Sequence, residues 1–113
     1  MKLPKAARLR RRREYLAVQD RGVRLVSGEL LVLFGGAAVE RPRIGITVSS
    51  KVANAVGRNR VKRWVREAFR ELQAELPAVD LVVIARSGAL GLGLPGARRA
   101  LAAARDQLQR RGH

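Results

Sequence analysis

The stretch RNRVKRWVREAFR, residues Arg58–Arg70, decides how this chain folds. Wound as a helix at about 100° per residue, it puts Val61, Trp64, Val65, Ala68, Phe69 and Leu72 on one arc, the spacing of a buried face. Arg58, Lys62, Arg66 and Arg70, with Asn59 and Arg63 beside them, fill most of the opposite side, and Glu67 is the only acid before Glu71. A helix that buries one side and shows cations on the other suits a polyanion. The charged side has a bland reading as a solvated face, but such faces normally mix signs, and this one does not.

Upstream of it, RIGITVSS (residues 43–50) alternates Ile44, Ile46 and Val48 with Gly45 and Thr47, the pattern of a half-buried strand. Lys51–Gly57 reads as a turn or a loose first helical turn. Downstream, the helix is predicted to run to about Glu75 and to stop before Pro77. DLVVIAR, Asp80–Arg86, then reads as a short buried strand. The centre of the chain is thus a strand–helix–strand unit.

Further out, Ser87–Gly96 (SGALGLGLPG) reads as a surface loop, with Pro95 as a helix start. Ala97–Arg111 places Ala100, Leu101, Ala104 and Leu108 on one face of an amphipathic helix. Toward the N-terminus, Glu29–Phe34 and Val23–Val26 read as strands joined by a turn at Ser27–Gly28, with Gly35–Gly36 ending the pair. A short helix is predicted over Arg10–Asp20, closed by Gly22, and residues 1–9 read as a basic, flexible arm. The order is α-β-β-β-α-β-α: a single α+β domain over residues 1–113, a sandwich with a four-stranded, largely antiparallel or mixed sheet.

Composition narrows the function. Lys and Arg number 24 against 9 Asp and Glu, a formal charge of +15, which points to nucleic acid as the partner. An anionic membrane surface is the competing reading. It fits less well, because the cations lie on amphipathic patterns with a full core behind them. No apolar run approaches the roughly 20 residues of a membrane span and the start lacks an apolar signal region, so the expected location is cytoplasmic. There is no cysteine, which excludes thiolate metal sites, disulfides and a cysteine nucleophile. The single histidine is His113. Glu67, Glu71 and Glu75 are spaced four apart but read as partners for neighbouring arginines, such as Arg63 with Glu67, rather than as a metal-nuclease cluster.

The stretch RIGITVSSKVANAVGRNRVKRWVREAFR, residues 43–70, resembles the protein subunit of bacterial ribonuclease P, whose signature is a strand, a Lys-Val-Gly-x-Ala-Val-like turn and then RNRxKRxxRExFR. LRRRREYLAVQDRG (residues 9–22) looks like the family's first helix and PAVDLVVIARSGA (residues 77–89) like its last strand. The resemblance implies a left-handed crossover through the basic helix, a rare exception among βαβ units and one shared with a domain of a ribosomal protein. It also implies an accessory role in an endoribonuclease whose chemistry is carried by a catalytic RNA with bound Mg²⁺, which removes the 5′ leader of precursor tRNA. The protein's partners would be ribonuclease P RNA, at one protein per RNA, and precursor tRNA. No catalytic residue is expected on the protein itself, and the sequence leaves open whether the protein holds a metal.

Carried onto this sequence, the RNA subunit would dock on Arg58, Asn59, Arg60, Lys62, Arg63 and Arg66, whose cations neutralise phosphates and whose Asn59 can contact a base edge or a 2′-hydroxyl. The leader would lie in a cleft equipped with Tyr15 as an aromatic platform and with Arg11, Arg12 and Lys51 as positive walls. The sequence departs from the family at Gln19 and Leu33, where aromatics are common, at Ser50, where a basic residue is common, and at Ala53, where glycine is common. Trp64 and Phe69, on the apolar arc, read as core. A structural RNA-binding protein of ribosomal type is the alternative class, and a stand-alone nuclease a third that lacks a histidine pair or carboxylate cluster.

Overall fold

The computed structural model describes residues 3, 5–21, 23–36 and 41–110. Its elements are α1 (Arg12–Arg21), β1 (Val23–Ser27), β2 (Leu30–Gly36), β3 (Arg43–Thr47), α2 (Ala55–Leu72), β4 (Val79–Ala85) and α3 (Gly93–Arg110), with short 3₁₀ turns at Lys5–Ala7, Gln73–Glu75 and Ala89–Gly91. The expected order of elements is present.

The four strands lie in the order β1-β2-β4-β3. β1 and β2 form an antiparallel hairpin, β2 pairs antiparallel with β4, and β3 runs parallel to β4. A parallel neighbour requires a crossover, and α2 supplies it. The hairpin turn works because Gly28 adopts φ +60°, a conformation that side-chain-bearing residues rarely take.

Side chains alternate across this sheet. Leu30, Val32 and Phe34 of β2, Leu81 and Val83 of β4 and Ile44 of β3 face α2 and α3, where they meet Val61, Val65, Ala68, Phe69, Ala97, Leu101, Ala104 and Leu108 in the main core. Leu33 and Val82 face the other way, into a smaller core closed by Val18 of α1 and by Leu9, with Tyr15 and Ile84 at its margin. The predicted apolar arc of α2 is correct in phase. Val61, Val65, Ala68 and Phe69 are fully buried, while Trp64 and Leu72 are half-buried at the rim.

Two expectations change. Gly35 and Gly36 do not end β2: they pair with Asp80 and Val79, so pairing with a central strand overrides the local preference of glycine. The glycine-rich segment 87–96 is not an irregular loop, since it holds the 3₁₀ turn and the first residues of α3. The packing of Ala89 and Ala97 against the main core offsets the weak helix propensity. Of the two readings of Lys51–Gly57, the first helical turn holds for its end: α2 begins at Ala55, because the Asn54 side chain accepts the Gly57 N–H at 2.9 Å and caps that turn. The proposed cap at Gly22 lies outside the described residues.

The described part of the expected arm lies on the body of the protein. Leu3, Ala7 and Leu9 are buried, Arg8 bridges in parallel to Ile44, and the Leu9 N–H donates to the Ile44 carbonyl at 2.8 Å. This segment extends the sheet past β3 by one contact. No helix among the described residues is long and apolar enough to cross a membrane.

Candidate nucleic-acid interface

One arginine sets the position of α1 on the sheet. Arg43, at the start of β3, donates from Nε and Nη2 to both carboxylate oxygens of Asp80 on β4, at 2.9 and 2.8 Å, and from Nη1 to Glu14 on α1 at 2.9 Å. The other Glu14 oxygen accepts the Arg10 and Arg11 backbone N–H groups, both at 3.0 Å, which closes the first turn of α1. Those backbone N–H groups, with Arg43 adding to them, hold the Glu14 carboxyl below its ordinary range. Arg43, Asp80 and Glu14 side chains are only 14%, 8% and 23% exposed, so this is a largely buried, fully paired cluster.

That clamp aims a stripe of α1 at β3. Arg12, Tyr15, Leu16 and Gln19, spaced as one helical face, line a groove of about 490 Å³ with Arg10, Ile46, Thr47, Val48 and Lys62. The phenol end of Tyr15 lies directly over Gly45: a Cβ built there would sit 2.4 Å from Cζ. Only a glycine admits the ring at that point. The Tyr15 hydroxyl donates to the Leu9 carbonyl at 3.3 Å, and burial raises its pKa, so it stays neutral.

Of the residues assigned to this cleft from sequence, Arg12 and Tyr15 line it and Arg11 and Lys51 do not. Arg11 is exposed and gives its backbone to the α1 cap, while Lys51 is exposed in the turn before α2. Sequence reasoning missed Lys62 as the opposite wall, together with Arg10 and Leu16, while Gln19, noted as a departure in the cleft, does line it. The i, i+3, i+4, i+7 stripe through Arg12 was readable in advance.

On α2, Asn59, Arg60 and Arg63 are exposed and Arg58, Lys62 and Arg66 half-buried. Arg58 turns back to donate to the Ala53 carbonyl at 3.0 Å. Among the described residues, every ion pair lies off this row. Arg70 pairs with Glu67, Arg98 of α3 with Glu71 at 2.7 Å, and Arg105 of α3 with Glu75 at 3.0 Å. Glu71 and Glu75 thus serve the seam with α3, while Glu67 takes Arg70 within α2 in place of the expected Arg63. These guanidinium partners hold the Glu67 and Glu71 carboxyls below their ordinary range. No group of three His, Asp or Glu side chains placed to hold a metal ion occurs among the described residues.

The two sequence-predicted sites touch. Lys62 belongs to the α2 row and also to the wall facing Tyr15, and the charge of Arg66 bears on the Tyr15 phenol. The result is one continuous positive surface running from α2 into a groove with an aromatic floor.

The family model for ribonuclease P matches residues 3–109. This chain belongs to the ribonuclease P protein family. Its relatives include the ribonuclease P protein components of Desulfatibacillum aliphaticivorans, 46% identical over 83 residues covering 73% of this chain and 70% of that one, and of Shouchella clausii, 40% identical over 101 residues covering 88% and 83%. Among solved structures, the RNase P protein of Thermotoga maritima superposes with a TM-score of 0.77 at 34% identity, covering 91% of this chain and 96% of that one. The Staphylococcus aureus RNase P protein superposes with a TM-score of 0.80 at 27% identity, covering 96% of each. Membership makes the chain an accessory subunit of the ribonuclease P endoribonuclease, working with an RNA subunit in tRNA 5′ processing.

Proposed function

We propose that α2 is the dock for the ribonuclease P RNA and that the groove over Tyr15 holds the single-stranded 5′ leader of precursor tRNA. The observation that carries this reading is the unpaired state of Arg58, Arg60, Lys62, Arg63 and Arg66 among the described residues, on a helix whose acids are all committed to other arginines. Cations left without a carboxylate partner on a rigid surface neutralise phosphates and release counterions on binding. Asn59, exposed between them, offers a donor and an acceptor to a base edge or 2′-hydroxyl.

In the groove, Tyr15 offers a ring face for stacking and Arg12 and Lys62 offer charge to the leader backbone. Gln19 stands where a second aromatic would extend the stack, so the platform is one ring long. The protein supplies no reacting group in this reading. Mg²⁺ is held by the RNA, and the protein lowers phosphate repulsion as RNA and substrate meet, at one protein per RNA.

The test adds purified protein to the cognate RNA at low Mg²⁺ and follows 5′ leader cleavage. Stimulation by wild type, reduced by Tyr15→Ala for substrates with a leader more than for binding of mature tRNA, is the expected result. Absence of stimulation overturns the reading.

A further inference from the structure

A second groove, of about 740 Å³, opens on the other side of the α2 row. Leu3, Arg8, Arg63, Trp64, Arg66, Glu67 and Leu94 line it. Three guanidinium groups therefore converge on one cavity, whose volume falls in the about 300–1,000 Å³ range of small-ligand sites. Glu67, its only acid, is occupied by Arg70. The Nε of Arg8 is buried with no hydrogen-bond partner, although its backbone is pinned to Ile44. An ionised donor left buried and unmatched is costly. Trp64 is half-buried in the rim of the core, which fixes its indole in place, and Leu3 and Leu94 add apolar walls.

Guanidinium groups beside a fixed indole and two leucines select an anion joined to a flat, largely apolar ring. A phosphate alone leaves Trp64 and the leucines without a partner, and duplex RNA keeps its bases stacked inside the helix. We propose that this groove receives one unstacked nucleotide, its phosphate on Arg8, Arg63 and Arg66 and its base against Trp64, and that the nucleotide belongs to the RNA docked on α2. The assignment of the RNA as source rests on the docking reading above. Charge-assisted contacts to phosphate with stacking on an aromatic side chain are how unpaired nucleotides are held.

Trp64 is the only tryptophan of the chain, so intrinsic emission reports on the groove alone. The experiment titrates the full chain with AMP, adenosine and ribose 5-phosphate, exciting beyond the absorption of the base, and then repeats the AMP titration with bound ribonuclease P RNA. Saturable quenching by AMP is expected, at least tenfold weaker with adenosine or ribose 5-phosphate. Arg8→Gln should weaken it several-fold, as should Arg63→Gln, which alters an exposed rim residue and leaves folding alone. Bound RNA should quench Trp64 and exclude AMP. Unsaturable AMP, equal binding of ribose 5-phosphate, or indifference to both variants overturns the nucleotide site. RNA that binds without excluding AMP overturns the groove assignment and leaves the docking reading standing. RNA that fails to bind while AMP still quenches overturns the docking reading and the RNA source together.

Discussion

The arginines of the Arg43 clamp and of the α2–α3 seam differ from those of the α2 row in one respect: the first have carboxylates and the second do not. Arg43 is half-buried and its three guanidinium nitrogens are matched by Asp80 and Glu14. Arg60 and Arg63 stand on the surface with no acid partner among the described residues. The same residue type holds the fold in one place and is kept available in the other. The difference lies in where the acids among the described residues are placed, and it teaches that a large net charge is compatible with a stable fold when such acids are spent on structural joints.

The comparison breaks most sharply at Asp80. Asp80→Ala leaves Arg43 half-buried with only Glu14, and we expect a loss of about 3 kcal/mol of stability, read as a lower urea midpoint, with RNA affinity of the folded fraction unchanged. An unchanged midpoint would mean that the clamp does not secure the fold. Gly45→Ala comes next, because the added methyl must displace the Tyr15 ring. A cost of about 1–2 kcal/mol is expected in the same denaturation assay, together with weaker binding of leader-bearing substrate. Arg60→Ala inverts the pattern: RNA affinity falls by a few-fold to about tenfold, the slope of log affinity against log salt shrinks by somewhat less than about 1, and the midpoint stays put. The smallest effect belongs to Arg98→Ala, at an exposed end of the seam. Its midpoint should shift little and less still at high salt.

The phase of α2, the hairpin and β4 were legible because each is governed by a local period: Val61, Val65 and Phe69 repeat at helical spacing, and Leu81, Val82 and Val83 form a run buried on both faces. What was not legible depended on distant partners. Gly35 and Gly36 become strand only because β4 pairs with them, and the core contacts of Ala89 and Ala97 rescue a glycine-rich stretch. The Arg43 clamp joins residues 29 and 37 positions apart, beyond any local pattern. Within the interface, the α2 cations followed from helical phase. Lys62 as a wall of the Tyr15 groove did not, since it depends on how α1 and α2 meet across β3. Leu33, singled out as a departure in the cleft, is buried beneath α1 instead of exposed to a ligand.

The strand order β1-β2-β4-β3 also bears on the making of the protein. Among the described residues β4 is the last strand to leave the ribosome, yet it is the only one that touches both the hairpin and β3. Until Ala85 has emerged, β1 and β2 form an isolated hairpin, marginal in water, and β3 has no strand partner among the described residues. The sheet therefore closes in one late event, with the basic helix already synthesised and its apolar side still uncovered. During that interval the apolar side of the helix lacks the Leu81 and Val83 side chains that cover it in the finished core.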